Sequence, residues 1–371
     1  MNRALFDGSD AARFLARYWQ KQPLLARAAL PEFRGLLSRD DLVSLAVRDD
    51  VESRLVLRER GHWTLTHGPF SRRDLRRLPG RNWTLLVQGV NLHVPHADAL
   101  LRRFAFVPYA RLDDVMVSYA APGGGVGPHF DSYDVFLLQG EGRRRWRIGR
   151  QRDLALKPGL PVKILARFHP QHEYVLSPGD MLYLPPDVAH DGVALDACTT
   201  YSIGFRAPAA QELATAFLDW LRDRIDLQGR YADPDRSVQR TPARIGRDLR
   251  AYAKDSLKRV SWSEEALERF LGCYLTEPKP TVTFSPPVRP LSRTAFAARV
   301  ARRGLRLDSA AQLLYDARRL FLNGDVIEPP ADARTVLRRF ADARELSPSR
   351  VGPRALTTLH AWYRHGFVHL G

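Results

Sequence analysis

Apolar and polar positions along the chain divide it into three stretches with different periods. Over 12–27, Phe14, Leu15, Tyr18 and Trp19 recur at helical spacing, and Pro23 stops the pattern. From 50 to about 206 the apolar residues come in short β-rich runs: RLVLRE, WTLLVQGV, DVMVSYA, DVFLLQG, RRWRIG, MLYLP and TTYSIGF. Turn signals separate them: PGGGVGP, QGEG, KPG, SPGD and LPPD. Many short strands punctuated by Gly and Pro predict a sandwich or barrel. Beyond Pro208 the period changes. Leu213, Phe217, Trp220, Leu221 and Ile225 predict a helix over 210–226, and a second follows at 242–259. Ser261 and Glu264 read as a capping box for a third helix carrying Leu267, Phe270, Leu271 and Tyr274. PKPTVTFSPPVRP (278–290) reads as an extended linker. The last part alternates the strand-like GLRLD and RLFLNGDVIEP with helices at 331–343 and 353–364, and ends in HGFVHLG. Helices with a small terminal ribbon suggest a winged-helix-sized module. The expected division is 1–207, 208–277 and 278–371.

The chemistry concentrates in GPHFDSYDVFLLQGEGRRRWRIG. On a strand, alternate side chains share a face, so His129 and Asp131 point the same way. A third metal ligand must come from elsewhere. His190, in SPGDMLYLPPDVAHDG, is the best candidate, 59 residues beyond Asp131. Two histidines and one carboxylate on one face of a metal leave the other face open, the arrangement of non-haem Fe(II) oxygenases. Zn(II) and Mn(II) rank behind Fe(II). Gly123–Gly125 and Gly127 are not followed by Gly-Lys-[Ser/Thr] or a helix, so they read as a tight turn that delivers His129, not as a phosphate loop. The spacing of His93 and His96, and of His169 and His172, could bind metal, but a surface or core-edge role is commoner, and His360, His365 and His369 have no carboxylate nearby in sequence; all seven are read as non-ligands. In RRRWR, Arg144 and Trp146 face one side of a strand and Arg143, Arg145 and Arg147 the other. The strip suits either a nucleic acid or, if Arg144 points inward, an anionic partner such as a dicarboxylate held by the guanidinium fork.

Charge and composition change this picture little. Of 371 residues, 44% are apolar and 26% charged, ordinary values for a globular chain. Two cysteines, Cys198 and Cys273, exclude a disulfide scaffold or a cysteine-rich metal module and fit a reducing cytoplasm. No apolar run is long enough to span a bilayer, and the N-terminal segment has no secretory pattern. The net charge is +16, and residues 281–371 hold 15 arginines against seven acids, half of that excess. Such a field attracts polyanions, or else reflects a solvated, arginine-rich surface.

The motifs HxDxYDVFxxQxxGRRRWRIG, PGGGVGPH, GDMLYLPP…H and YSIGFRAP, with FLARYWQKQPLL near the N-terminus, resemble those of bacterial ribosomal-oxygenase arginine hydroxylases, which are JmjC-type, cupin-fold enzymes. The resemblance implies an α+β chain: a double-stranded β-helix (jelly-roll) catalytic domain, a helical dimerisation region and a winged helix. It implies Fe(II) on His129, Asp131 and His190, with 2-oxoglutarate and O₂ as cosubstrates. Arg144 would hold the distal carboxylate of 2-oxoglutarate, aided by Ser118. Ala120 stands where some relatives carry a serine and cannot supply a hydroxyl. Asp114, Met116, Tyr133 and Ser202 would grip the substrate arginine. The implied reaction is β-carbon hydroxylation of an arginine in large-subunit ribosomal protein L-sixteen, by a cytoplasmic homodimer. Two other readings stay open: an oxygenase acting on a histidine or lysine side chain, and a basic nucleic-acid-binding protein whose jelly roll is not catalytic.

Overall fold

The computed structural model describes residues 8–371. They form two compact units, one running through Ala207 and including 278–311 and 331–371, the other comprising 208–277 and 312–330.

The first unit holds strands β1 (Leu24–Ala26), β2 (Ser53–Glu59), β3 (His62–His67), β4 (Trp83–Val87), β5 (Leu112–Ala120), β6 (Val135–Gln139), β7 (Arg144–Gly149), β8 (His172–Leu176), β9 (Met181–Leu184), β10 (Ala189–Ala194) and β11 (Cys198–Phe205). A large antiparallel sheet runs β1-β9-β6-β11-β5-β4-β2-β3 and a small one β10-β7-β8. Strand alternation sorts the large sheet into two faces. One face, with Val115, Val117, Phe136, Leu138, Tyr201 and Ile203, packs in a cluster that includes Leu42 and Leu101 of helices Arg39–Ala46 and Pro95–Arg102. The other face packs Leu137 and Leu182 against Trp146, Ile148 and Leu176 of the small sheet. That second face also carries Met116, Ser118, Thr200 and Ser202, because Met116 pairs with Ser202 and Ser118 with Thr200 across β5 and β11. A polar strip thus lies on the face shared with the small sheet.

The C-terminal part of this unit contains helices Arg293–Arg303, Ala331–Ala343 and Pro353–Arg364 and a sheet of Glu345–Leu346, Leu305–Leu307 and Val368–Leu370. Asp98 ties it to the jelly roll. Its carboxylate accepts from Arg102 Nε at 3.0 Å and lies 3.9 Å from Arg344 Nε, and both guanidiniums are buried. The Tyr109 hydroxyl donates to the Asp342 carbonyl at 2.7 Å beside them. Two buried like charges sharing one carboxylate make that carboxylate costly to lose. Asp98→Asn is expected to destabilise the protein by about 3 kcal/mol. Urea unfolding measures it, and an unchanged midpoint would refute the role.

The second unit packs helices Ala210–Arg222, Arg247–Lys258 and Glu264–Thr276 with a sheet of Leu313–Tyr315, Leu320–Leu322 and Asp325–Ile327. Phe217 meets Phe270 edge-on at 5.0 Å, and Gly272 lets the Phe321 ring lie against the helix backbone.

Several elements differ from expectation. The first helix spans Gly8–Arg17, not 12–27, because Trp19 leaves the helix to stack on Tyr183. WTLLVQGV ends as a strand at Val87, since Gly89 turns at φ 61° into a helix from Val90. The third helix of the second unit is capped by Ser263, whose hydroxyl accepts from Ala266 N at 3.1 Å, so Ser261 is out of register. RLFLNGDVIEP is a hairpin rather than one strand, because Asn323 and Gly324 both adopt positive φ.

Candidate active site

His129, Asp131 and His190 offer ligand atoms that all lie within 4.8 Å of one another, and they are the only such metal-competent group among the described residues. His190 comes from β10. His129 is not in a regular strand, contrary to the expected alternation. It sits in a single antiparallel bridge, its N–H donating to the His190 carbonyl at 2.9 Å and its carbonyl accepting from His190 N at 2.8 Å. The glycine turn brings it there by close approach. A Cβ at Gly124 would collide with the Trp83 carbonyl, and one at Gly125 would stand 2.5 Å from the Gly192 carbonyl. Each ring is oriented from behind. His129 Nδ1 faces the Gly127 carbonyl and His190 Nδ1 the Val188 carbonyl, both at 2.9 Å. With Nδ1 as donor, each Nε2 keeps a lone pair for a metal. His190 Nε2 stands 3.7 Å from Asp131 Oδ2. Burial, reinforced by the neighbouring His129, pushes the His190 pKa down to about 4. The ring is therefore neutral near pH 7, the form that ligates. Two neutral imidazoles and a carboxylate suit Fe(II).

Arg144 begins β7 and is 5% exposed. Its Nη1 donates to Ser118 Oγ and Thr200 Oγ1, each at 3.2 Å, while Nε and Nη2 have no partner. A buried guanidinium with two orphaned donors is costly unless an anion fills the space. A carboxylate fits this need, since the fork presents parallel donors. The residues around Arg144 therefore fit the carboxylate of an anionic cosubstrate. The rest of the basic run is differently employed. Arg143 pairs with Asp196 at 2.9 Å and Arg147 with Asp191 at 2.6 Å, which leaves little of the strip for a polyanion.

Asp114 precedes Met116 and Ser118 on the same face of β5 and is 3% exposed. Its Oδ2 accepts from Gln88 Nε2 at 2.7 Å and Gly89 N at 2.9 Å. Arg54 Nη2 lies 3.8 Å from Met116 Sδ and donates to Gln88 Oε1 at 3.1 Å. Tyr133 is partly exposed and its phenol is held well above the usual tyrosine range, by burial first and then by Asp131 and Asp114, so it lies in the field of both carboxylates. Ser202 is buried opposite Met116. Ala120 lies apart from these, packed with Ala194 and Cys198.

Thr200, Arg54 and Gln88 escaped the sequence reading. Thr200 shares its strand face with Ser202, a signal that became usable only with the β5–β11 register. The histidines read as non-ligands have other partners where contacts are present: His360 Nε2 meets the Leu291 carbonyl at 2.8 Å and His369 Nε2 meets Asp308 Oδ2 at 2.7 Å.

Comparison with known proteins agrees with this architecture. A JmjC-domain family matches residues 99–213, and a ROXA-like winged-helix family matches 259–369. The chain is 39% identical over 282 residues to the ribosomal protein uL16 3-hydroxylase of Escherichia coli, covering 75% of this chain and 74% of that one. It is 42% identical over 207 residues to a probable ribosomal oxygenase of Haemophilus influenzae, covering 54% of this chain and 50% of that one. An E. coli ribosomal oxygenase solved in complex with cobalt and 2-oxoglutarate superposes with a TM-score of 0.82 at 32% identity, covering 99% of each chain. A relationship that spans both the catalytic barrel and the winged helix places this chain in the family of JmjC-type ribosomal oxygenases.

Proposed function

We propose that the chain is an Fe(II)- and 2-oxoglutarate-dependent oxygenase that hydroxylates the β-carbon of an arginine in ribosomal protein uL16. One observation carries the reading: a His-Asp-His cluster shares its barrel with a buried, half-satisfied Arg144 and a buried Asp114. Iron, 2-oxoglutarate and O₂ supply an oxidant that replaces a C–H hydrogen by hydroxyl, with succinate and CO₂ released. The protein's part is binding and orientation. His129, Asp131 and His190 hold the metal. Arg144 Nε and Nη2 hold the distal carboxylate of 2-oxoglutarate, with Ser118 and Thr200 fixing the guanidinium from behind. Asp114 receives the substrate guanidinium, Met116 lies along its methylenes, and Tyr133 and Ser202 complete the wall. An anionic receptor favours a cationic guest, which supports arginine, then lysine, over histidine.

The reading extends to a cytoplasmic homodimer, formed through the helices of 208–277, with the basic 281–371 segment aiding contact with the ribosomal substrate. The second unit exposes Leu218, Leu257 and Trp262, which suits self-association. Light scattering tests the dimer, and a monomeric mass would remove it.

The activity is tested by mass spectrometry of a uL16 peptide incubated with enzyme, Fe(II), 2-oxoglutarate and O₂. A one-oxygen gain on arginine is expected. Asp114→Asn should raise the peptide KM about 10- to 100-fold, through loss of a charge-assisted fork. The KM for 2-oxoglutarate should stay within twofold. Equal effects on both cosubstrates would place Asp114 outside the substrate pocket.

A further inference from the structure

Asp114 already has a counter-ion, and it comes from outside the barrel. Lys279 belongs to the irregular 278–290 segment, and its Nζ stands 3.8 Å from Asp114 Oδ2 and 3.2 Å from Asp113 Oδ1. The two contacts are unequal. Asp113 is within hydrogen-bond distance, whereas 3.8 Å to Asp114 is charge pairing without a hydrogen bond. The hydrogen bonds on Asp114 come from neutral donors, Gln88 and Gly89. A carboxylate this deeply buried needs a cation nearby to stay charged. Lys279 is about one-third exposed, as is Asp113, so the ammonium can withdraw toward Asp113 and water without being stranded. Arg206 Nε also approaches Asp113 Oδ1, at 3.6 Å, and the lysine shares that anchor.

We propose that Lys279 is a specificity-determining residue: a placeholder cation that pairs with Asp114 until a guanidinium displaces it toward Asp113. The inference rests on Asp114 being the substrate's receptor. Its chemical consequence is selection by exchange. A cationic side chain replaces one charge partner of Asp114 by another and adds hydrogen bonds that Lys279 does not make. A neutral side chain of the same shape evicts the ammonium and leaves Asp114 buried without a counter-charge. Rejection of neutral guests thus arises from the partner they remove as well as from the contacts they lack.

The test reads Lys279 directly. The full-length protein is acylated briefly with an amine-reactive reagent, alone and with a saturating uL16 peptide, and labelling at Lys279 is quantified by mass spectrometry. Labelling is expected to rise at least threefold with the arginine peptide, and not with a peptide carrying citrulline in place of that arginine. In parallel, calorimetry compares peptide binding by wild type, Lys279→Met and Lys279→Arg. The methionine variant should bind at least fivefold more tightly, because no internal cation competes. The arginine variant, a stronger fork on Asp114, should bind more weakly. Labelling that stays level or falls, or a methionine variant that binds no better than wild type, overturns the placeholder role. If the wild type neither binds nor oxidises the arginine peptide, the substrate reading fails and this inference falls with it. If it hydroxylates the peptide while Lys279 stays unlabelled, only the placeholder is wrong.

Discussion

Arg144→Met is expected to raise the KM for 2-oxoglutarate about 100-fold or more, and to make the protein more stable when 2-oxoglutarate is absent. Both effects follow from the same buried guanidinium. Two charge-assisted hydrogen bonds to a carboxylate are worth roughly 1.5 to 3 kcal/mol each, which sets the loss in binding. Without an anion, Nε and Nη2 of Arg144 are buried donors with no partner. Replacing that charge by an apolar chain of similar length removes a penalty of about 1 to 3 kcal/mol. The two hydroxyls it leaves are not stranded, since Thr200 Oγ1 donates to Gln139 Oε1 at 3.3 Å and Ser118 Oγ to the Thr200 carbonyl at 3.5 Å. Thermal melts with and without 2-oxoglutarate in the presence of a redox-inert metal distinguish this from ordinary packing loss. The variant should melt higher than wild type in the absence of ligand. The order should reverse at saturating ligand, because only the wild type gains binding energy. A variant less stable under both conditions would show that Arg144 is a structural ion, not a ligand seat.

Asp131→Ala is expected to abolish hydroxylation while leaving the fold intact. Asp131 is the only carboxylate of the cluster and its side chain is about one-quarter exposed, so its truncation leaves no buried cavity. Two neutral imidazoles alone hold a divalent cation weakly, and the oxidant cannot form without it. Metal content after dialysis, circular dichroism and peptide turnover should separate: near-zero metal, an unchanged spectrum and no product. Wild-type turnover by this variant would remove Asp131 from the metal site. His190 is a less clean test, because its ring is 3% exposed and truncating it would leave a cavity.

Much of this was legible in the chain. The helices at Ala331–Ala343 and Pro353–Arg364 coincide with the ranges read from periodicity, because their apolar stripes are long and bounded by Pro and Gly signals. The strand runs of the barrel are dense in β-branched and aromatic residues and closely bounded by turns, so most stand within two residues of expectation. Errors arose where a local rule met a packing demand. Trp19 left its helix for the aromatic cluster, and Ser263 took the cap that Ser261 was expected to hold.

The site divides in the same way. By itself, the sequence determined the ingredients: H-x-D behind a glycine turn, a histidine after Pro-Pro, an arginine alternating with tryptophan, and an acid, a methionine and a serine sharing one strand face. These are properties of periods and spacings within single segments. Tertiary structure alone decided which of them meet. The bridge between His129 and His190 closes a gap of 61 residues, the β5–β11 register sets Thr200 beside Arg144, and an irregular segment far along the chain brings Lys279 to Asp114. Those pairings depend on register and on through-space charge, and neither is encoded in the period of any one segment.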